Sequence, residues 1–320
     1  MVPSGFLLVL VGALLPLAAF CVIGLRAWGA LRRRLSPFRR RPPGPLVTAA
    51  LWPPLGVAAT GYASLFTIAT GWAFLVEPHW AAVERTRVEV PEPLLDRPAL
   101  KILHVTDLHI EEWGGLEDRL LAAAKTEQPD LVLLTGDYVN SREALVPLVK
   151  LLRGLAAPLG VFGVEGHHDH KYRIDRAFEE AGATLLRDEF VKLAGGGRPV
   201  VVAGLSMHPA RPLAEILRTA PPEAYRIVLH HAPEAAKDLK AGQAGLFLCG
   251  HTHGGQIRVP GLGPLLPAWR SPEGFGPGES RHEGIVVIVN RGMGMSGGPM
   301  PKARLLSRPE IRFVEISVPK

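Results

Sequence analysis

Apolar and polar residues follow two regimes along this chain. The first 80 residues hold two long runs without a charge, Phe6 to Leu25 and Leu46 to Val76. Each is long enough to cross a bilayer as a helix. Pro53-Pro54 marks the start of the second, leaving Leu55 to Val76 as its helical part. The pattern predicts a membrane anchor over residues 1–80, with transmembrane helices at residues 6–25 and 55–76. A cleaved signal peptide is the alternative for the first run, and it fits less well because the arginines follow the apolar stretch. Residues 81–98 contain Pro91, Pro93 and Pro98 and read as a linker, with a short strand at Arg87 to Val90.

From Ala99 to Lys320 the apolar runs shorten and alternate in period. Strands are expected at Lys101 to Thr106, Leu131 to Thr135, Leu159 to Val164, Val200 to Ala203 and Arg226 to Leu229. Others are expected at Leu246 to Cys249, Ile285 to Val289 and Ile311 to Ile316. Helical periodicity falls at Leu116 to Thr126, Ser141 to Leu152 and Ile174 to Ala181. Strands alternating with helices argue a layered α/β domain over residues 99–320.

The net charge of +6 changes meaning once it is located. Arg26, Arg32, Arg33, Arg34, Arg39, Arg40 and Arg41 lie between the two apolar runs. Without these seven the chain carries 29 basic residues against 30 acidic ones. The basic excess therefore belongs to a membrane, and no nucleic acid is expected as a partner. The positive-inside rule puts the Arg-rich loop in the cytoplasm, and the rest of the chain after Val76 on the extracytoplasmic side. The two cysteines, Cys21 and Cys249, define no disulfide framework.

Five of the expected strands end in acids or imidazoles. The clusters are Asp107-Leu108-His109, Gly136-Asp137, Gly166-His167-His168-Asp169, His230-His231-Ala232-Pro233 and Gly250-His251-Thr252-His253. In an extended segment residues two apart point the same way, so Asp107 and His109 can share one ion; His251 and His253, flanked by glycines, present two imidazoles at a strand end, a metal site in outline. Open α/β sheets place their ligands at the carboxyl ends of strands. A lone Asp in such a place is more often a cap or turn residue. Together the clusters supply more Asp and His groups than one ion needs, and fit two ions bridged by a carboxylate. His104, inside a strand, reads as a core residue, and His230 as a support for its neighbour.

This ordered set of motifs resembles the calcineurin-like metallophosphoesterases. The Gly254-Gly255-Gln256 that follows, with Gly292-Met293-Gly294 and Arg308-Pro309-Glu310-Ile311, is similar to their membrane-associated bacterial branch, which includes cell-envelope phosphodiesterases and hydrolases of UDP-diacylglucosamine. The resemblance implies a four-layer αββα sandwich and two divalent metal ions, Mn²⁺ in the first place, with Fe²⁺ or Zn²⁺ as alternatives. It assigns Asp107, His109 and His253 to one ion, His231 and His251 to the other, and Asp137 to both. His167 stands where the family has Asn, and an imidazole there favours softer metals. His168 matches the family's general acid, with Asp169 placed to orient it.

The implied function is hydrolysis of a phosphodiester or pyrophosphate, on a lipid-linked substrate at the bacterial inner membrane, by hydroxide held between the metals. The rival is a non-catalytic, membrane-anchored module that binds metal or phosphoester and is impaired by His167. The Gly/Pro-rich loop from Pro260 to Gly278, with Leu262, Leu265, Leu266, Trp269 and Phe275, either dips toward acyl chains or folds over its own core.

Overall fold

The computed structural model describes residues 61–265, 274–295 and 302–319. The chain divides into two compact units, residues 1–74 with 298–302, and residues 75–297 with 303–320. Residues 61–71 are helical and Trp72–Val76 form a π-helical turn. No helix among the described residues is long and apolar enough to cross a membrane. The expected span at 6–25 lies outside the described residues, as do residues 55–60 of the second.

The larger unit is a mixed α/β sandwich of two six-stranded sheets. Its strands in chain order are β1 (Ala82–Glu89), β2 (Ala99–Val105), β3 (Leu131–Leu134), β4 (Val161–Gly163), β5 (Thr184–Leu185), β6 (Glu189–Lys192) and β7 (Val200–Gly204). After these come β8 (Tyr225–Leu229), β9 (Leu246–Cys249), β10 (Arg258–Val259), β11 (Gly263–Pro264), β12 (Gly278–His282), β13 (Ile285–Val289) and β14 (Glu310–Ser317). The first sheet runs β1-β14-β2-β3-β4-β5 and the second β12-β13-β9-β8-β7-β6, while β10 and β11 form a small hairpin. Strands β2 to β5 are parallel, as are β7, β8, β9 and β13. Every residue of β3 and of β13 is buried, as strands covered on both faces require.

Three apolar cores hold the layers. Helices α1 (Gly115–Glu127), α2 (Leu145–Gly154) and α3 (Ile174–Ala181) cover the outer face of the first sheet. In α3, Ile174, Ala177 and Phe178 recur at helical spacing and face inward. The Glu117 side chain accepts from the Gly114 N–H at 2.8 Å and caps α1. Helix α2 begins later than Ser141, the start its apolar pattern suggests, and carries Pro147 in its first turn, where a missing N–H costs least. Between the sheets, Ile102, Leu133, Val202, Ile227, Leu248 and Ile288 pack together. Outside the second sheet, Phe247 and Val287 meet Ile216 of the short α4 (Leu213–Ile216) and Leu217.

Strand β1 corrects the reading of residues 81–98 as a linker with one short strand. All eight of its residues pair in parallel with β14. Val90, Leu94 and Leu95 then enter the core between the sheets. In the loop from Pro260 to Gly278, Phe275 is buried in the outer core, whereas Leu262 and Leu265 are exposed. Leu266 and Trp269 lie outside the described residues.

Candidate metal centre

The loops that leave β2, β3, β4, β8 and β9 converge, and three sets of side chains bring one ligand atom each within 4.8 Å of one another. Asp107, His109 and His253 form a closed pocket in which all three are buried. His167, His231 and His251 form a second pocket, open because His167 is exposed and His251 half-buried. Asp107, Asp137 and His231 join the two. The Asp137 carboxylate reaches both, with Oδ2 3.6 Å from His109 Nε2 and 3.3 Å from His231 Nε2.

Backbone contacts bring the loops this close. Asp107 N–H donates to Gly136 O and His109 N–H to Asp137 O, zipping the loop after β2 to the loop after β3. His251 N–H donates to Asp107 Oδ2 at 2.9 Å and ties the second sheet to the first. Gly250 has to be a glycine here, since a Cβ would lie 2.2 Å from Thr106 Oγ1 and 2.3 Å from Asp107 Oδ2. Five site residues adopt the left-handed backbone that β-carbons disfavour: Asp107, His109, Asp137, His251 and His253. Each such residue costs about 1–3 kcal/mol and persists only where its surroundings enforce it.

Buried partners turn the rings toward the centre. His109 Nδ1–H donates to Asn140 Oδ1 at 2.8 Å and His231 Nδ1–H to the Thr135 carbonyl at 2.7 Å. Each bond leaves Nε2 as the free lone pair, the arrangement usual for a metal-bound imidazole. His109 Nε2, His231 Nε2 and Asp107 Oδ1 are buried without a hydrogen-bond partner. Leaving such atoms unsatisfied costs about 1–3 kcal/mol each. Cations in the two pockets would satisfy all three, and a mixed oxygen and imidazole donor set suits Mn²⁺, Fe²⁺ or Zn²⁺. The residues present therefore fit a dinuclear divalent centre.

The charges follow the same geometry. Burial raises the carboxyl of Asp137, but the His231 beside it outweighs that and holds it well below the usual range. In return, burial alone would lower His231, and the Asp137 carboxylate drives it up to about 10. Burial pushes Asp107 up to about 6. Burial lowers His251 to about 3, with His231 adding to the effect. His253 is held well below its ordinary value by burial, then by His109 and by Arg304, whose Nη2 lies 3.5 Å from His253 Nδ1.

Asp169 departs from the orienting role given to it beside His168. Its buried carboxylate accepts from the backbone N–H groups of Asp137, Gly166 and Tyr138, at 2.7, 2.7 and 2.9 Å. The residue opens a 3-10 turn that aims it at these amides, so it fixes two site loops and does not bond the His168 ring. His168 is half-buried, and its N–H donates to Asp137 Oδ1 at 2.8 Å. Its ring stands edge-on to His109 at 5.4 Å. His104 bonds Thr135 Oγ1 inside the core, and His230 bonds the Ala232 carbonyl; neither belongs to the three ligand sets.

Sequence reasoning passed over several supporting residues. Asn140 lies three positions after Asp137, close enough in sequence to have been noticed. Thr106, whose hydroxyl donates to Asp107 Oδ2 at 2.8 Å, ends the first expected strand. Arg304 gave no signal, because among the described residues its buried guanidinium bonds carbonyl oxygens of Arg291, Gly292, Gly294 and Ser307 and the ring of His253.

Comparison with known proteins agrees with this geometry. Residues 100–255 match the family model of calcineurin-like phosphoesterases. The chain is 30% identical to the metallophosphoesterase YkuE of Bacillus subtilis over 261 residues, 75% of this chain and 87% of YkuE. It is 30% identical to the phosphodiesterase YaeI of Escherichia coli over 275 residues, 79% of this chain and 96% of YaeI. It is 24% identical to the UDP-2,3-diacylglucosamine pyrophosphatase LpxG of Chlamydia trachomatis over 303 residues, 75% of this chain and 90% of LpxG.

Proposed function

The chain belongs to the calcineurin-like metallophosphoesterase family and is a metal-dependent phosphoric ester hydrolase; on that premise we propose that it cleaves a phosphodiester or pyrophosphate bond of a lipid-linked substrate at the bacterial inner membrane. The observation that carries the reading is the convergence of two three-residue pockets on one shared carboxylate, Asp137. Asp107, His109 and His253 would hold one divalent ion and His167, His231 and His251 the other, with Mn²⁺ the preferred metal. Divalent ions in such a pair supply Lewis-acid charge to phosphoryl oxygens and lower the pKa of water.

The chain's own groups do the rest. Asn140 and the Thr135 carbonyl hold His109 and His231 in the tautomer that presents Nε2. Asp169 pins the loops of Asp137 and Gly166 to each other. His168, half-buried and outside both pockets, is the proton donor to the departing oxygen. The membrane setting is supported by the charge-free runs at residues 6–25 and 55–76 and the arginines between them. The preference for a diester or pyrophosphate is supported by the named activities of YaeI and LpxG.

The test is hydrolysis of bis(p-nitrophenyl) phosphate and of p-nitrophenyl phosphate by the full chain, with Mn²⁺, Zn²⁺ or a chelator, and with Asp137→Ala as control. The reading expects metal-dependent turnover that favours the diester and disappears in the control. Faster turnover of the monoester would contradict the diesterase assignment.

A further inference from the structure

Glu77 is the first charged residue after the run Leu46 to Val76, and it is buried, 2% exposed. Burying a carboxylate is costly unless it is bonded. Its Oε1 accepts from the Ser307 N–H at 2.5 Å, across 230 positions of sequence. Ser307, buried as well, passes the contact on: its hydroxyl donates to the His253 carbonyl at 2.8 Å. That carbonyl also accepts from the Gln256 N–H at 3.0 Å, and the backbone of His253 is left-handed. The segments approach so closely that a Cβ on Gly254 would lie 2.8 Å from Ser307 Oγ. Arg304 braces Ser307 from the other side. Its Nη1 donates to the Ser307 carbonyl at 2.9 Å, and its Nη2 to the Gly292 carbonyl at 3.1 Å.

We propose that Glu77 is a positioning residue of the closed pocket: by holding Ser307 it fixes the His253 carbonyl, and with it the ring whose Nε2 stands 3.4 Å from Asp107 Oδ1. The inference rests on the reading of the closed pocket as a metal site, and adds a residue 176 positions upstream of the ligand it serves. Two observations carry it. The path from Glu77 to His253 is two consecutive hydrogen bonds between buried groups, with no gap for water to fill. The path also ends on a ligand whose left-handed backbone persists only where its surroundings enforce it. Glu77 acts through where its oxygen sits, so an uncharged acceptor of the same reach serves in its place, and a shorter acid does not.

The experiment titrates Co²⁺ into the metal-free full chain in nanodiscs and follows the visible absorption of the bound ion, with thermal unfolding of the metal-free chain recorded alongside. Glu77→Ala removes the acceptor, Glu77→Asp keeps the charge but withdraws it by one methylene, and Glu77→Gln keeps an oxygen at the same reach. The first two should weaken Co²⁺ binding about 10-fold or more, and Glu77→Gln should stay within about threefold of the wild type. Ser307→Ala deletes the hydroxyl, leaves the N–H that Glu77 holds, and should cost as much as Glu77→Asp. Glu77→Asp and Ser307→Ala combined should bind no more than about twofold worse than the weaker single variant, because both cut one path. These two variants decide the case if Glu77→Ala does not fold. Unchanged Co²⁺ affinity in them, even with a lower unfolding temperature, would overturn the proposal. So would losses that multiply in the double variant, or a loss in Glu77→Gln equal to that in Glu77→Asp. No Co²⁺ bound by the wild type would remove the metal-site reading itself, and the proposal with it.

Discussion

In the closed pocket Asp107, His109 and His253 are 0%, 4% and 2% exposed and all three have left-handed backbone. In the open pocket His231 alone is buried, His251 alone is left-handed, and His167 reaches in from the surface. The first arrangement is held by packing and by side-chain bonds from Thr106 and Asn140, so its ligands stand in place before any ion arrives. The second ends in a solvent-facing imidazole whose ring lies 4.5 Å from that of His251 and can give way. The contrast teaches that one dinuclear centre can pair a preorganised pocket with an adaptable one, and that Asp137 couples them.

Breaking the coupling should have the largest effect. Asp137→Ala removes the carboxylate whose Oδ2 lies 3.6 Å from His109 and 3.3 Å from His231, and leaves His231 without the main partner that charges it. Turnover should drop at least about 10³-fold and bound metal should fall in both pockets, measured by steady-state kinetics and elemental analysis. Loosening only the closed pocket comes next. Asn140→Ala frees the His109 ring and should weaken metal binding about 10- to 100-fold with the fold intact by circular dichroism. Restoring the bond with Asn140→Asp should recover most of the loss.

The make-up of the site, though not the contrast between its pockets, was legible in the sequence. The five Asp and His clusters stand at the ends of apolar runs that fold as β2, β3, β4, β8 and β9, because short continuous apolar stretches between turn residues have few other places to go. Strand β1 was not legible at full length. As an edge strand it exposes Arg85, Arg87 and Glu89, and its partner β14 lies at the far end of the chain. Asp169 misled for a related reason: adjacency to His168 says nothing about where a 3-10 turn aims a carboxylate. The left-handed backbone at five site residues has no signature in residue type beyond the glycines packed around it.

Protonation offers a subtler probe of the shared carboxylate. His231 is raised from 6.5 to about 10 in the metal-free chain, so it must give up a proton to bind an ion between those pH values. Metal affinity should therefore rise with pH through that window, and calorimetry in buffers of different ionisation enthalpy should record proton release on binding. For the metal-free fold the sign is the reverse: the raised imidazole adds stability that is complete below pH 6.5 and is lost as pH climbs through about 10.

The smallest expected effect is His167→Asn. It replaces an imidazole nitrogen by an amide oxygen in the open pocket alone, and should shift preference a few-fold from Zn²⁺ toward Mn²⁺ without affecting the closed pocket. Competition between the two metals at fixed total concentration would read it.

The most direct test of the two-pocket account is the number of metal ions bound per chain, counted by elemental analysis in the wild type and in His167→Ala. The account predicts two ions in the wild type, and about one in the variant, retained by Asp107, His109 and His253. Two ions retained at undiminished affinity, or none, would contradict it.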